Sequence, residues 1–250
     1  MCGRYQLTIP GRSLASFLDA RADPGLAVEV DESTLHVAAP TQSLPVLALA
    51  RDGQRVLEAA EWGLVPTWAR KARGDMRPLI NARSETVADK PAFRAAVRTG
   101  RVLVPATGFY EWAVDESGAK VPHELRVRGE AVDPAAGERL GRVAGRDDVV
   151  EPFMLAGIAE VWTTPDNVPG LSFCILTTAP NELCAPIHDR MPAILDRDDA
   201  EAWLEAPADA TELLLELLRP FPADRMEAWP VSRTRFARTQ PPEADQLSLL

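Results

Sequence analysis

Val102-Leu103-Val104-Pro105-Ala106-Thr107-Gly108-Phe109-Tyr110-Glu111-Trp112-Ala113-Val114 joins two β-type runs through a short Pro-Ala-Thr-Gly break. β-Branched and aromatic residues bounded by turn formers read as strands, not helices. The pattern repeats along the chain. Strands are predicted at 44–50, 56–62, 102–104, 109–114, 123–127, 153–162, 172–177 and 193–195. Many mix polar and apolar residues in rough alternation, which predicts a largely antiparallel sheet or barrel. Helices are fewer. The segment 12–20 puts Leu14, Phe17 and Leu18 on one face, and 91–98 starts near Asp89 and Pro91 and stops at Gly100. Two more are predicted at 198–205 and 209–218, the last capped by Asp209 or Thr211 and ended by Pro220. The fold class is therefore α+β: a single domain with a largely antiparallel sheet or barrel core flanked by short helices.

The domain is predicted to span residues 2–238. Within it, 129–151 is rich in Gly, Ala, Asp, Glu and Arg and reads as a flexible insertion; 239–250, with Pro241 and Pro242, reads as a disordered tail. The whole chain has 250 residues, 46% hydrophobic and 26% charged, an ordinary globular balance. No apolar run is long enough for a membrane span, and no secretory signal is visible. Three scattered cysteines do not make a disulfide framework, so a reducing, cytoplasmic setting is expected. The net charge of −10 argues against a sequence-independent DNA coat. Yet residues 51–101 carry eleven basic side chains against six acidic ones, so one face of the folded chain can be locally positive.

Four groups of residues can carry chemistry. A residue as small as Cys2 permits removal of the initiator Met, which leaves a free α-amine beside a thiol. An amine attacks an aldehyde to give a Schiff base, and the adjacent sulfur then closes a five-membered thiazolidine, which an internal cysteine cannot do. The second group is Asn81-Ala82-Arg83-Ser84-Glu85, where Asn81 offers a donor and an acceptor and Arg83 a phosphate or carboxylate clamp; a turn with a structural Arg–Glu pair reads equally well. Third, Glu111 between Tyr110 and Trp112 gains proton-transfer character if desolvated, or is an exposed Glu alternating with core aromatics. Fourth, His188 stands among Asp189 and Arg190, one of three histidines in the chain and a candidate acid or base. The gaps of nine and three residues between Cys174, Cys184 and His188 lack the short Cys pair of a zinc site, so no metal and no cofactor are expected. Phosphate-loop, dinucleotide and hydrolase-elbow patterns are missing from the sequence.

Taken in order, Met1-Cys2-Gly3-Arg4-Tyr5, Trp62-Gly63-Leu64-Val65-Pro66 with Trp68, Asn81 to Glu85, Gly108-Phe109-Tyr110-Glu111-Trp112, and Thr177-Thr178-Ala179 with His188-Asp189-Arg190-Met191-Pro192 resemble the SOS response-associated peptidase family over roughly residues 2–235. The resemblance implies a protein of the DNA damage response that senses abasic sites in single-stranded DNA. It would shield them in a thiazolidine crosslink through Cys2, acting in the cytoplasm at the nucleoid or replication fork. It implies that Cys2 is the nucleophile, that Glu111 assists sugar ring opening and Schiff-base formation, that His188 moves protons on the sugar oxygen, and that Asn81 orients the abasic sugar. Arg4, Arg83 and Arg190 would hold phosphates, and Trp68 and Trp112 would stack on bases. An autopeptidase activity that removes Met1 is also implied. Aromatic platforms in a cationic groove are what single-strand binding requires, and an abasic site has no base to unstack.

Val104 stands where many relatives have Cys, and the Asn that usually follows the Val231-Ser232 pair is replaced around Phe236-Ala237. Separately, Gln246-Leu247-Ser248-Leu249-Leu250 resembles the short peptide that docks on the bacterial sliding clamp, an expected second partner. Two other function classes compete. An N-terminal-nucleophile cysteine peptidase or amidohydrolase would use the same Cys2, Glu111 and His188 but has no need of the Arg and Trp set. A non-catalytic single-strand binder would tolerate Cys2→Ser.

Overall fold

The computed structural model describes residues 2–9, 11–23, 37–69, 78–129, 151–163 and 169–236. The 129–151 insertion (save Gly129 and Glu151), the 239–250 tail and the clamp-like Gln246, Leu247, Leu249 and Leu250 lie outside the described residues. The strands are β1 (Tyr5–Gln6), β2 (Arg21–Ala22), β3 (Val37–Ala38), β4 (Ser43–Leu49), β5 (Arg55–Trp62), β6 (Asn81–Arg83), β7 (Arg101–Ala106), β8 (Gly108–Val114), β9 (Lys120–Val127), β10 (Phe153–Thr163), β11 (Pro169–Thr178), β12 (Met191–Pro192), β13 (Ile194–Leu195) and β14 (Met226–Pro230). Among the described residues four short helices accompany them: α1 (Gly11–Phe17), α2 (Ala96–Thr99), α3 (Arg197–Glu205) and α4 (Thr211–Leu215).

Strands β11, β10, β7, β4 and β5 follow one another in a hydrogen-bonded ring. The ring closes where β5 and β11 run parallel, Glu61 opposite Ser172 and Trp62 opposite Phe173. The other ring pairings are antiparallel, so the core is a five-stranded mixed barrel, and closure removes the edges an open sheet would expose. Its interior is apolar: Val102, Val104, Leu155, Phe173 and Ile175 are buried. Gly157 is there because Val102 and Val104 leave no room; a Cβ would come within 2.9 Å of the Val104 side chain. The Trp203 indole donates to the carbonyls of Val102 and Gly157 at 3.2 and 3.3 Å, tying α3 to the barrel. Asp196 caps α3 by accepting from the Asp199 N–H.

A second sheet has the order β14-β9-β8-β1-β3, all antiparallel. The stretch Arg101–Val114 crosses from one layer to the other: β7 belongs to the barrel, Thr107 bends, and β8 belongs to the second sheet. This crossing ties the strand bearing Glu111 to the barrel.

The eight predicted strand regions are all strands, with ends moved by a few residues; 193–195 resolves into β12 and β13 around Ala193. The helix predicted at 198–205 is found as Arg197–Glu205, and the other three are shorter than predicted. Residues 91–95 form turns, and only Ala96–Thr99 is helical. Of 209–218, Ala208–Ala210 is a 3₁₀ turn and only Thr211–Leu215 is helical. Neither Asp209 nor Thr211 caps α4: its N-cap is Ala210, without a side-chain bond, and the Thr211 hydroxyl donates to the Ala208 carbonyl. No helix among the described residues is long and apolar enough to cross a membrane.

Candidate active site

β1 pairs with β8 through Tyr5 opposite Phe109 and Gln6 opposite Gly108. The next bond along, Tyr110 N–H to the Arg4 carbonyl at 3.0 Å, keeps the N-terminal segment beside the strand that carries Glu111. Cys2 is fully buried, and its thiol donates to the Arg4 carbonyl at 3.7 Å. Burial pushes the thiol far above its ordinary range, and the nearby Glu111 charge pushes it further. The resting group is therefore SH, not thiolate.

Asn81 arrives from the barrel. After Trp62 the chain leaves the edge of β11, returns through the Leu64–Leu79 bridge, and rejoins the same edge as β6, Asn81 opposite Ile175. The Trp62 indole donates to the Ile80 carbonyl at 2.9 Å, which fixes the residue before Asn81. Asn81 Nδ2 then donates to the Cys2 carbonyl at 2.8 Å, while its Oδ1 is buried and has no partner among the described residues.

Glu111 is buried, and desolvation raises its carboxyl to about 7. His188 Nε2 lies 3.8 Å from Glu111 Oε2. Burial lowers the imidazole from its ordinary value, and Nδ1 accepts the Arg190 N–H at 3.0 Å. A neutral ring in that arrangement keeps its proton on Nε2, facing Glu111. Asp189 approaches Nδ1 at 2.9 Å but is largely exposed, so water screens it. The turn below is rigid: Asn181 Oδ1 accepts from Cys184 N, and the Cys184 carbonyl accepts from His188 N, each at 2.9 Å.

Cys2, Asn81, Glu111 and His188 thus converge from the segment before β1, from β6, from β8 and from the loop after β11. The expected DNA-contacting residues divide. Trp68 stands out at 62% exposed, its indole N–H 3.3 Å from the Pro91 carbonyl. Arg83 is exposed at the end of β6. Arg190 instead grips Glu85 with both guanidinium nitrogens, at 2.6 and 2.8 Å, and donates to the Thr177 carbonyl at 2.5 Å. That fork joins β6, β11 and the His188 loop, and it holds the Glu85 carboxyl below its usual range. The Arg–Glu pair that the 81–85 segment suggested is therefore real, but its Arg is Arg190, 105 positions from Glu85, and not a neighbour. Period-two alternation on β8 separates Glu111 from Tyr110 and Trp112, and those two rings meet Phe236. Sequence reading missed Phe236 as a contact, and also the buried Gln6, Glu124 and Arg126; the polar–apolar alternation of Glu124 to Val127 in β9 reads Glu124 and Arg126 as a solvent face, so no local signal marked them. Cys174 and Cys184 are buried free thiols. No cluster of three or more His, Cys, Asp or Glu side chains suited to a metal occurs among the described residues.

Comparison with known proteins agrees with this frame. A family model described as SOS response associated peptidase (SRAP) matches residues 1–235. The chain is 36% identical over 195 residues to a Bacillus subtilis (strain 168) protein named abasic site processing protein YoaM, covering 78% of this chain and 76% of that one. It is 33% identical over 188 residues to the Gallus gallus abasic site processing protein HMCES, covering 73% of this chain and 54% of the relative. A crystal structure of a Bacteroides thetaiotaomicron protein superposes with a TM-score of 0.74 at 25% identity, covering 93% of each chain.

Proposed function

The chain belongs to the SOS response associated peptidase (SRAP) family, and from that premise we propose that it processes abasic sites by capturing their aldehyde covalently at Cys2 in single-stranded DNA. One observation carries the reading most: a buried Cys2 whose carbonyl is held by Asn81 sits beside a carboxyl raised to about 7 and its histidine partner.

The chemistry follows from the protonation states. With Met1 removed, Cys2 bears an α-amine, which is partly neutral near pH 7. Because burial keeps the sulfur protonated, the amine is the first nucleophile. Its nitrogen attacks C1′ of the ring-opened sugar, and the carbinolamine loses one water to give the imine. The sulfur then bonds to the imine carbon, the thiol proton is released, and the imine nitrogen gains a proton, closing the thiazolidine. The net reaction releases one water. Glu111, near half-protonated at neutral pH, gives a proton to the departing oxygen and takes one from the thiol. His188 Nε2–H faces that carboxyl and supports the exchange. The unpaired Asn81 Oδ1 is an acceptor that a sugar hydroxyl or the protonated amine satisfies. Trp68 offers a base-stacking surface at the rim, and Arg83 a phosphate contact; Arg190 positions the Asn81 and His188 segments through Glu85. A peptidase acting through Cys2 would draw on the same Glu111 and His188 to deprotonate the thiol, so the exposed Trp68 and Arg83 are what favour a DNA substrate over an amide. Docking of the Gln246–Leu250 tail on a sliding clamp is a separate proposal, tested by clamp pull-down with and without those five residues; equal recovery ends it.

The test is denaturing gel electrophoresis after mixing the protein with single-stranded DNA bearing one abasic site. A protease-sensitive band that needs both the abasic site and Cys2 is expected. No such band from protein whose Met1 is verifiably gone would overturn the reading.

A further inference from the structure

Phe236 ends a 3₁₀ turn, Arg233–Phe236, and sits where the family pattern departs from this sequence. Its ring meets Tyr110 edge-on with centroids 4.9 Å apart and Trp112 at 5.3 Å and 45°. The Arg4 guanidinium carbon lies 6.0 Å from the centre of the same ring. One phenyl ring therefore joins a cation from the N-terminal segment to two aromatics of β8. The turn itself is anchored on both sides: Arg233 donates to the Lys120 carbonyl, and Arg235 pairs with Glu124, which is fully buried and also paired with Arg126. Breaking a buried pair leaves an uncompensated charge, so this turn is a fixed part of the wall, not a flap in front of it.

We propose that Phe236 is a positioning residue for nucleic-acid binding, wedged between Arg4 and the Tyr110–Trp112 pair so that the Arg4 cation and the Trp112 indole are presented to a single strand in one fixed arrangement. The inference rests on the DNA reading above. The side chain of Arg4 is long and gains from being ordered before binding, because the ligand then does not carry that ordering cost. A guanidinium over an aromatic face is held by the ring quadrupole while keeping its in-plane N–H donors for phosphate oxygens. The indole of Trp112, edged by Phe236, is likewise held in one rotamer.

The consequence is specific: removing an uncharged ring changes an electrostatic observable. For single strands, each phosphate contact contributes about 0.7 to the slope of log affinity against log salt. Binding of a fluorescent, intact single-stranded oligonucleotide is measured by anisotropy across a salt series for wild type, Arg4→Ala, Phe236→Ala, Phe236→Tyr and the Arg4/Phe236 double alanine variant, with thermal melting as the fold control. Phe236→Ala is expected to weaken binding about three- to five-fold, the scale of a partly exposed cation–π contact. It should also lower the salt slope toward that of Arg4→Ala, be non-additive with it, and be rescued by Phe236→Tyr. The half-saturating concentration of abasic DNA in crosslinking should rise by the same factor, and by more than the first-order rate at saturation falls. An unchanged affinity and slope, a purely additive double variant, or tighter binding by Phe236→Ala overturns the proposal. If Phe236→Ala melts early, the Phe236→Leu variant replaces it under the same criteria. Wild-type protein that neither binds the oligonucleotide nor responds to Arg4→Ala indicts the DNA reading instead.

Discussion

The barrel and the second sheet are built by opposite rules. The barrel is closed by hydrogen bonds and filled with aliphatic and aromatic side chains, with Trp62 and Trp203 fully buried. The second sheet is open, two of its five strands (β1 and β3) are only two residues long, and it carries a polar network. There Gln6 Oε1 accepts from the Tyr110 hydroxyl at 2.9 Å and from Arg126 at 3.3 Å, and Arg126 and Arg235 flank Glu124. Apolar packing in the barrel tolerates shape changes poorly but asks for no exact pairing. The network asks for complete pairing. The reactive residues come from the border: Cys2 and Glu111 from the sheet, Asn81 and His188 from strands and loops on the barrel rim. A site at such a joint has one rigid reference on each side.

Breaking each part in turn should separate the two regions. Trp203→Ala removes a fully buried indole and two hydrogen bonds from the barrel, and is expected to cost about 3–5 kcal/mol in urea unfolding. Arg126→Ala strips one of two cations from buried Glu124 and is expected to cost about 2–3 kcal/mol. Its expected effect on crosslinking rate is small, because Glu111 points to the other face of β8. Arg190→Lys loses the fork to Glu85 and is expected to cost about 1–2 kcal/mol; crosslinking should slow more than stability falls, since the Asn81 and His188 segments lose their shared tie. The sign with pH is fixed by the depressed Glu85 carboxyl. The contribution is present above the carboxyl's unfolded value and is lost as pH falls through the folded one. Arg190→Lys should therefore be closest to wild type in acid and furthest from it at neutral pH.

Glu111→Gln has the smallest expected effect on stability in acid, where the carboxyl is protonated, and the opposite sign above that range. Its carboxyl is raised from 4.5 to about 7 in the fold. Between those values the folded state binds more protons than the unfolded one, so stability falls as pH rises through that window. The Gln variant should lose this slope and be more stable than wild type at pH 8. Its crosslinking rate should drop and lose the inflection near pH 7. A wild-type melting temperature that rises from pH 5 to pH 7 faster than that of Glu111→Gln contradicts the assignment.

The barrel was legible because its strands are long and carry β-branched and aromatic residues, as in 153–162 and 172–177. The five-residue β14 was missed, and so were β1, β2, β3 and β6. Two or three residues carry no period, and what makes Tyr5–Gln6 a strand is pairing with Gly108 and Phe109, over a hundred positions away. The overlong helix at 91–98 failed for a related reason: the propensity was local, while tertiary contacts leave only Ala96–Thr99 helical. Cys2, Asn81, Glu111 and His188 could be chosen by chemical type and family resemblance. Their convergence could not, since it depends on β6 rejoining the edge of β11. The Arg190–Glu85 fork was equally invisible, because nothing local shows which partner a guanidinium will find.

The central claim is that Cys2 acts first as an amine and then as a thiol. Intact-mass spectrometry of the protein after reaction with abasic single-stranded DNA tests it directly, with and without borohydride. Wild type should give an adduct equal to protein plus DNA minus one water, stable without reductant and mapping to Cys2. Cys2→Ala, which keeps an α-amine but has no sulfur, should be trapped only when borohydride is present. A reductant-independent adduct on Cys2→Ala, or a wild-type adduct mapping to any other residue, would contradict the account.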